Sequence, residues 1–337
     1  MNLLVTGGCG FIGNHFVRHW LGRYPDDVVV NLDALTYSGN LANLADVAAN
    51  ARYRFVHGSI CDRPLVERVC EESNIEAIVN FAAHTHVDRS ILDASPFIET
   101  NVRGVQVLLD VARSRSLSRF VQVSTDEVYG ALGTGDLPTT EKAPLAPNSP
   151  YAASKAAGDL LVHACHRTYG VPAIVTRCSN NFGPYQFPEK LIPLMIINAL
   201  DNKPLPVYGD GLYVRDWIYV GDHCEAIDLA LCRGRVGEIY HIGSSNERTN
   251  IEIVERILDH LGKPRSLIQH VKDRPGHDRR YALDAARARE ELGWSPRHDF
   301  AGALTATINW YVERRSWWEA VLTGEYRRFY EAWYVKR

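Results

Sequence analysis

The chain has 337 residues and a mass of 37.9 kDa, enough for roughly two domains with a well-buried core, which excludes a small disulfide-held scaffold. Hydrophobic residues make up 46% and charged residues 23%, a globular composition that excludes a disordered or fibrous chain. The formal net charge of −3 provides no overall attraction to nucleic acid or anionic lipid, so we expect neither as a partner.

Apolar runs bounded by turn residues predict six strands in the first half of the chain, at 3–6, 28–32, 54–57, 77–81, 120–124 and 173–177. Helix-length stretches lie between them, at 12–24, 64–72, 100–115 and 151–169. Alternating strands and helices favour a parallel sheet covered on both faces. We therefore predict an α/β, Rossmann-type, doubly wound fold.

The pattern changes after residue 178, where prolines surround a predicted helix at 190–200. A strand at 216–220, a helix at 222–233 and a strand at 238–242 follow, and we expect them to return to the main sheet. The domains are therefore predicted to be interleaved, with 1–178 and 217–243 in a dinucleotide-binding domain. Residues 179–216 and 244–337 form a smaller, mixed substrate-binding domain in this prediction.

The seven cysteines contain no C-x-x-C pair and are odd in number, which fits neither a disulfide framework nor a zinc site. The first apolar residues run directly into Gly7 as a strand would, with no leader pattern, and no stretch approaches the ~18 apolar residues needed to span a bilayer. We predict reduced thiols, no metal, no membrane partner and a cytoplasmic location.

Three glycines, Gly7, Gly10 and Gly13, follow the first predicted strand and open a predicted helix. Such a turn lets the backbone approach a pyrophosphate at a helix N-terminus, although a plain structural turn is the alternative. Asp33 lies 20 residues after Gly13, where its carboxylate can accept both ribose hydroxyls of NAD. Because no Lys or Arg occurs from 34 to 51 to bind a 2′-phosphate, NAD is favoured over NADP.

Two further patterns indicate catalysis. Tyr151 and Lys155 lie four residues apart on a predicted helix, where the ammonium would lower the pKa of the phenol and fit it for general-base work. The alternative is an ordinary surface pair. Thr125, Asp126 and Glu127 follow the fifth predicted strand, at the sheet edge that faces ligands, where two carboxyls in different environments can divide acid and base roles.

These features together resemble the extended short-chain dehydrogenases/reductases and, within them, the dTDP-glucose 4,6-dehydratases. The resemblance runs nearly end to end and also rests on the segments DALTYSGN (33–40), HVDRS (86–90), NNFGPYQFPEKL (180–191), YGDG (208–211), VRDW (214–217) and DRPGHD (273–278).

The resemblance implies NAD-dependent conversion of dTDP-glucose to dTDP-4-keto-6-deoxyglucose, a lyase step in deoxysugar biosynthesis. Tyr151 would take the 4-hydroxyl proton while hydride leaves C4, with Thr125 bonding that oxygen and Lys155 holding the ribose and the tyrosine. Glu127 would remove the C5 proton, Asp126 would protonate the departing 6-hydroxyl, and the hydride would return to C6. The cofactor would therefore stay bound through turnover.

The resemblance also assigns binding residues. For NAD they are Gly7, Gly10, Phe11, Ile12, Gly13, Asp33, Ala34, Leu35, Thr36, Ser59, Ile60, Phe81, Ala82, Ala83, Thr100, Tyr151, Lys155 and Asn181. For the sugar nucleotide they are Thr85, Thr125, Asn180, Lys190, Leu191, Pro206, Val207, Tyr208, Arg215, Asn246, Asp273, Arg274, Pro275, Gly276 and His277. Arg215 is expected to bind the diphosphate, because a guanidinium forms forked hydrogen bonds to phosphate.

Two positions depart from the family pattern. Ser59 stands where the family usually has Asp against the adenine, and a hydroxyl there accepts a hydrogen bond more weakly. His84 stands where the family usually has Glu before the substrate-binding Thr85, and it either alters substrate preference or is a neutral substitute.

Alternatives remain open at this point. A UDP-glucose 4,6-dehydratase, or a nucleotide-sugar epimerase or decarboxylase on the same scaffold, would share Tyr151 and Lys155. Asp126 discriminates against the last two, because neither expels a 6-hydroxyl. A non-catalytic dinucleotide-binding protein would not need the acid and base set. The resemblance further implies a homodimer that pairs the helices at 100–115 and 151–169.

Overall fold

The computed structural model describes residues 1–322 and confirms the predicted α/β architecture. Its first half alternates strands with helices, and the turn after β5 is a 3₁₀ turn at Asp126–Tyr129. In chain order the elements are β1 (Asn2–Thr6), α1 (Phe11–Arg23), β2 (Val28–Asp33), β3 (Tyr53–His57), α2 (Arg63–Glu72), β4 (Ala77–Asn80), α3 (Val87–Leu92), α4 (Ser95–Ile98), α5 (Val105–Ser114), β5 (Arg119–Thr125), α6 (Pro150–Tyr169) and β6 (Ala173–Cys178).

The second half has shorter strands and ends, within the described range, in a helix before residue 322. Its elements are β7 (Asn180–Phe182), α7 (Leu191–Leu200), β8 (Leu205–Tyr208), β9 (Val214–Tyr219), α8 (Val220–Arg233), β10 (Ile239–Ile242), β11 (Glu247–Thr249), α9 (Asn250–Leu261), β12 (Ile268–Val271), α10 (Phe300–Glu313) and α11 (Arg315–Val321).

The main sheet has seven parallel strands in the order β10-β6-β5-β4-β1-β2-β3. The chain builds outward from β1 to β3 and then returns across β1 to begin β4. The loops after β1 and β4 therefore diverge, and such a reversal leaves a crevice at the carboxyl ends of the strands. Every predicted catalytic residue lies on or after a strand that ends near this crevice.

Two apolar cores cover the two faces of the main sheet. Helices α1 and α8 cover one face through residues such as Trp20 and Ile227. Helices α2, α5 and α6 cover the other through residues such as Val66, Leu108 and Val162. This two-sided burial explains why the strands read as nearly continuous apolar runs in the sequence.

The smaller part contains a mixed three-stranded sheet, β11-β9-β7, and the parallel pair β12-β8. Helices α7, α9 and α10 bury a separate core there, which includes Ile196, Ile257 and Ile308. The smaller, mixed region expected from the proline-rich change of pattern is therefore present.

One strand assignment was wrong. The strand predicted at 216–220 does not return to the main sheet but forms β9, because Asp216 accepts backbone hydrogen bonds from Ser244 (2.9 Å) and Asn246 (2.7 Å) just before β11. The edge position beside β6 is filled by β10, as predicted for 238–242. Trp294, which the sequence division gives to the second domain, packs in the core beneath α1 and α8.

The predicted helix at 100–115 begins as a π-helical turn, Glu99–Gly104, before α5. Asn101 lies in this widened turn, and its side chain bonds both the N–H and the carbonyl of His84 as well as the hydroxyl of Ser154, each at 2.9 Å. Wide helical turns often occur at functional sites. This one ties the loop after β4 to α6.

All seven cysteines are free thiols, as predicted; Cys232 is exposed and Cys61 half-buried, and the rest are buried. Residues 1–322 contain no helix long and apolar enough to cross a membrane. The same range shows no cluster of three or more His, Cys, Asp or Glu side chains arranged to hold a metal ion.

Candidate active site

The glycine turn between β1 and α1 approaches neighbouring backbone too closely for any side chain. Gly7 has φ +69°, and a Cβ there would lie 2.7 Å from the Ala82 nitrogen. A Cβ on Gly13 would lie 2.8 Å from the Cα of Gly8. The bare backbone and the first turn of α1 therefore open directly onto the crevice, as a pyrophosphate site requires.

Asp33 at the end of β2 is 7% exposed and braces this turn. Its carboxylate accepts the backbone N–H groups of Cys9 (2.9 Å) and Leu35 (2.8 Å). Burial raises the pKa of Asp33, and these two hydrogen bonds oppose the rise. The same carboxylate lines the crevice, where the sequence predicts that it accepts ribose hydroxyls.

A single cavity of about 520 Å³ runs from the glycine turn to Lys190. It is lined by the five predicted catalytic residues and by every predicted cofactor residue except Leu35, whose N–H instead holds Asp33. Four predicted substrate residues, Thr85, Thr125, Asn180 and Lys190, also line it.

Tyr151 and Lys155 lie in the first turns of α6, which begins with Pro150 after Ser149 accepts the Ala152 N–H at 3.1 Å. Tyr151 hydrogen-bonds Thr85, whereas the Lys155 amine donates to the Val123 carbonyl at 2.7 Å. The predicted lowering of the Tyr151 pKa by Lys155 is not seen here. Burial raises that pKa instead, and the negative charge of Glu127 adds to the rise.

Asp126 and Glu127 begin the 3₁₀ turn after β5 and differ in their surroundings. Asp126 is 4% exposed; one oxygen accepts the Thr125 hydroxyl at 3.1 Å, and the other has no hydrogen-bond partner in the described structure. Burial, followed by repulsion from Glu127, raises the pKa of Asp126 to about 8. At neutral pH it is therefore a protonated acid that can donate.

Burial also raises the pKa of Glu127, but three cations oppose the rise: Arg274, Lys190 and Arg215. The chain thus places three cations around Glu127, whereas Asp126 faces Arg215 alone and is opposed by the like charges of Glu127 and Asp216. This difference is the one expected for a base beside an acid.

The other predicted substrate residues lie outside the surface of this cavity. Arg215 is 5% exposed, and its guanidinium donates to the carbonyls of Val214 and Asp278, both at 2.8 Å. Arg274 pairs with the buried carboxylate of Asp88 at 3.2 Å, and the Tyr208 hydroxyl donates to the same carboxylate at 2.8 Å.

The remaining predicted substrate residues lie in the smaller part or in the 273–277 segment. Val207 is buried in β8, and Leu191 begins α7 and packs against the core of the smaller part. The Asp273 carboxylate accepts His277 Nδ1 at 2.7 Å and the Tyr213 hydroxyl. Asn246 lines a separate cavity of about 250 Å³ with Trp217 and Phe300. Pro206 lies in β8, and Pro275 and Gly276 form the turn between Arg274 and His277.

The two departures from the family pattern both line the cavity. The Ser59 hydroxyl accepts the Cys61 N–H at 3.1 Å, beside the buried Ile60. The His84 ring lies near Tyr37 and Phe97, with ring centroids 6.4 and 5.6 Å away. Burial, and then Arg89, lower the pKa of His84, so the ring is neutral at pH 7.

Sequence reasoning missed several lining residues, among them Ser38, Cys178, Gln186 and Glu189. Cys178 could have been found, because it ends β6 at the ligand-facing edge of the sheet. Asn101 carried no signal, since its role depends on contacts with His84 and Ser154 that only the folded chain creates.

Comparison with known proteins places this geometry in a family. Residues 4–307 match the family described as GDP-mannose 4,6 dehydratase. The dTDP-glucose 4,6-dehydratase of Streptomyces niveus is 54% identical over 323 residues, covering 95% of each chain. This chain belongs to the dTDP-glucose 4,6-dehydratase family.

Solved structures agree with that family assignment. A dTDP-glucose 4,6-dehydratase from Streptomyces venezuelae, with NAD and TYD bound, has a TM-score of 0.92 and 55% identity, and the match covers 95% of this chain and all of that one. A UDP-glucose 4-epimerase from Thermus thermophilus in complex with NAD has a TM-score of 0.86 and 30% identity over 93% of this chain and all of that one. Dehydratases and epimerases therefore share the scaffold, and side chains must distinguish them.

Proposed function

We propose that this chain is an NAD-dependent dTDP-glucose 4,6-dehydratase that forms dTDP-4-keto-6-deoxyglucose and water. The observation that carries the proposal is the pair Asp126 and Glu127, one held as an acid and the other among cations, in the same cavity as Tyr151. An enzyme that only oxidises C4 or inverts it needs no such pair. The similarity to the Streptomyces relatives supports the same assignment.

The residues present fit NAD. Gly7 and Gly13 leave backbone space that a Cβ would fill, Asp33 lines the crevice, and no Lys or Arg occurs from 34 to 51 to bind a 2′-phosphate. We propose that these residues, the other cavity-lining residues predicted above and Leu35 hold the cofactor. When bound, NAD supplies the chemistry that accepts a hydride from C4 and returns one to C6.

Tyr151 is the proposed base for the 4-hydroxyl, with Thr125 bonding the same sugar oxygen. Because burial keeps the phenol protonated, phenolate must form as substrate binds, and Lys155, one helical turn away, is the cation placed to stabilise it. Oxidation at C4 acidifies the C5 hydrogen. Glu127 then accepts the C5 proton while Asp126 delivers its proton to the 6-hydroxyl, so the C6–O bond breaks with loss of water.

Arg215, Arg274 and Lys190 are the proposed partners of the negatively charged sugar nucleotide, together with Thr85, Asn180 and the 206–208 and 273–277 segments. These three cations are close enough to oppose the rise of the Glu127 pKa. Arg274 and Arg215 are already bonded to Asp88 and to backbone carbonyls, which fixes their positions.

We also propose a cytoplasmic homodimer with interleaved domains at the boundaries given above, except that residues 217–219, which end β9, go with the smaller part. Residues 323–337 lie outside the described structure. The free thiols support a reducing compartment. Of the apolar residues on the two helices expected to pair, Val105, Leu108 and Leu109 are buried within the chain and Leu161 packs against the same core. Leu160 remains exposed, at 58%.

Incubation with dTDP-glucose and with UDP-glucose, side by side, tests the substrate. We expect the 4-keto-6-deoxy product with dTDP-glucose and a much slower reaction with UDP-glucose, followed by the absorbance of the 4-ketone in base and by mass spectrometry. A faster reaction with UDP-glucose would assign the uracil nucleotide. Recovery of only a C4 epimer would overturn the dehydratase assignment.

Retention of the cofactor is a separate expectation, because the hydride returns within one turnover. Denaturing the purified protein should release NAD or NADH, and activity should need no added reductant. Release of mainly NADP would contradict the role proposed for Asp33.

A further inference from the structure

A buried carboxylate that the proposed steps do not use lies one helical turn beyond Lys155. Asp159 is 2% exposed, and one of its oxygens accepts both the Ser124 hydroxyl and Arg177 Nε, each at 2.9 Å. Its second oxygen has no hydrogen-bond partner in the described structure. Burying a carboxylate with one oxygen unpaired costs free energy unless nearby positive charge compensates for it.

Lys155 and Asp159 are four residues apart and share a face of α6. Both contact the end of β5: the Lys155 amine bonds the Val123 carbonyl, and Asp159 bonds the next residue, Ser124. Burial lowers the pKa of Lys155, and Asp159 is the foremost group that opposes this loss of charge. Burial raises the pKa of Asp159, which Arg177 and then Lys155 oppose.

Glu141 is a further carboxyl near the pair: it lines the same cavity as Asp159 and Arg177 and lies 4.0 Å from His241 Nδ1, but it is not among the groups that oppose the loss of charge on Lys155. Burial raises the pKa of the Cys178 thiol to about 12 and lowers that of His241 to about 3, so both are neutral. Behind Arg177, the Tyr129 hydroxyl accepts its guanidinium and bonds His241 at 2.6 Å. In the active site, Tyr151 and Asp126 are protonated at pH 7, and Glu127 lies among Arg274, Lys190 and Arg215.

We infer that Asp159 is a positioning residue whose carboxylate, fixed by Arg177 and Ser124, keeps the buried Lys155 amine protonated one turn from Tyr151. The inference rests on the proposed function, in which the charge of Lys155 stabilises the Tyr151 phenolate. Asp159 touches neither substrate nor cofactor in this role. It acts only through Lys155.

Lysine titration by NMR tests this directly. The chain has seven lysines, so protein labelled with carbon-13 at the lysine Cε should give few signals, and Lys155→Arg identifies the one from Lys155. Asp159→Asn removes the charge and keeps the shape. We expect the Lys155 pKa to fall by about one unit or more, because the ammonium loses its anion. The alkaline limb of the C4 oxidation step, which precedes the step that uses Asp126 and is followed as transient NADH absorbance in a single turnover, should move to lower pH.

Two variants separate charge from packing. Tyr129→Phe removes a buried hydrogen bond from Arg177 without changing any charge, and it should leave the Lys155 pKa within about 0.3 unit of the parent value. Asp159→Glu keeps the charge and should largely restore the titration. If Asp159→Asn does not fold, Asp159→Ser provides an uncharged side chain that can still accept from Arg177.

An unshifted Lys155 pKa in a folded, uncharged Asp159 variant overturns the inference, as does an equal shift in Tyr129→Phe. The titration needs no substrate. It therefore decides the role of Asp159 even where the parent enzyme fails to convert dTDP-glucose, an outcome that would overturn the proposed function alone.

Discussion

At the scale of single residues, the two adjacent carboxyls after β5 differ because of what surrounds them. Asp126 is enclosed with one hydroxyl partner and a like charge nearby, whereas Glu127 faces three cations. The same chemical group is thereby given two proton affinities. Because Asp126 is proposed as the acid and Glu127 as the base, the two residues lead to separate predictions.

Replacing each carboxyl by its amide should block a different step. Glu127→Gln should permit oxidation at C4 but nearly abolish solvent deuterium entry at C5, because no base takes that proton. Asp126→Asn should slow loss of the 6-hydroxyl far more than C5 exchange, because an amide cannot deliver a proton. Loss of one positioned acid or base typically costs about 100-fold to 10,000-fold in rate.

Tyr151→Phe should differ from both amide variants, because it removes the base for the 4-hydroxyl and stops the reaction before C4 oxidation. We therefore expect no transient NADH absorbance in a single turnover. Elimination rates within a few-fold of the parent in both amide variants would contradict the dehydratase mechanism. The epimerase or decarboxylase interpretation would then be favoured.

The pH dependence of elimination should follow Asp126. Its pKa is raised to about 8, so the acid form that donates the proton is present below pH 8 and is lost as the pH rises through that value. We expect the single-turnover elimination rate to fall about tenfold for each pH unit above 8. Asp126→Asn should show no such decline, and a parent rate that stays level to pH 10 would show that Asp126 is not the acid.

The candidate site residues that a sequence can indicate are those whose chemistry depends on short spacing. Gly7, Gly13 and Tyr151 with Lys155 follow from fixed intervals along the chain. The protonation of Tyr151 was predicted in the wrong direction, because burial outweighs a neighbouring cation and burial is a property of the folded chain. The hydrogen bonds from the Asn101 side chain to His84 and Ser154 join segments that are far apart in sequence, so neither segment alone could predict them.

At the scale of elements, α6 lies against the π-helical turn at Glu99–Gly104 through a glycine. A Cβ on Gly158 would lie 2.7 Å from the carbonyl oxygen of Asn101, a backbone atom that cannot move cheaply. Close approach at this point lets Asn101 bond both Ser154 and His84. The position of the loop after β4 therefore depends on the absence of one side chain in α6.

Gly158→Ala should reduce the free energy of unfolding by about 1–3 kcal/mol, because the two helices must separate. Gly22→Ala is the matched control, since Gly22 also lies within a helix, α1, but has no neighbouring atom within 4 Å of an added Cβ. The control should be stabilised by up to about 1 kcal/mol, because Ala favours helix. Urea unfolding of both variants measures the difference; equal effects would contradict the close contact.

Element types were predictable wherever periodicity and length were clear, and six strands of the main sheet were located to within about two residues. The partner of a strand was harder to predict. Residues 216–220 have the apolar pattern of a main-sheet strand, yet β9 pairs with β7 and β11, because Asp216 binds the backbone before β11. Local pattern carries no information about which edge a strand will join.

At the scale of the whole molecule, the proposed homodimer depends on α5 and α6 having an outer face that a partner covers. Light scattering at micromolar concentration should give about twice the 37.9 kDa chain mass. Leu160→Glu should shift the protein toward monomer, because it places a charge on the exposed position of α6. A parent protein that scatters as a single chain would contradict the dimer.

The path of the chain between its cores constrains how the enzyme can move. Two of the three cores concern this path: the core beneath α1 and α8, and the core of the smaller part. The backbone passes between them after β6, before α8, after β10 and on either side of the turn at Ala288–Leu292. Any hinge opening between these two cores must bend the backbone at all of these crossings together. A single protease cut before α8 or after β10 would leave two fragments that each contribute to both cores, so an enzyme nicked there should stay assembled until it is denatured.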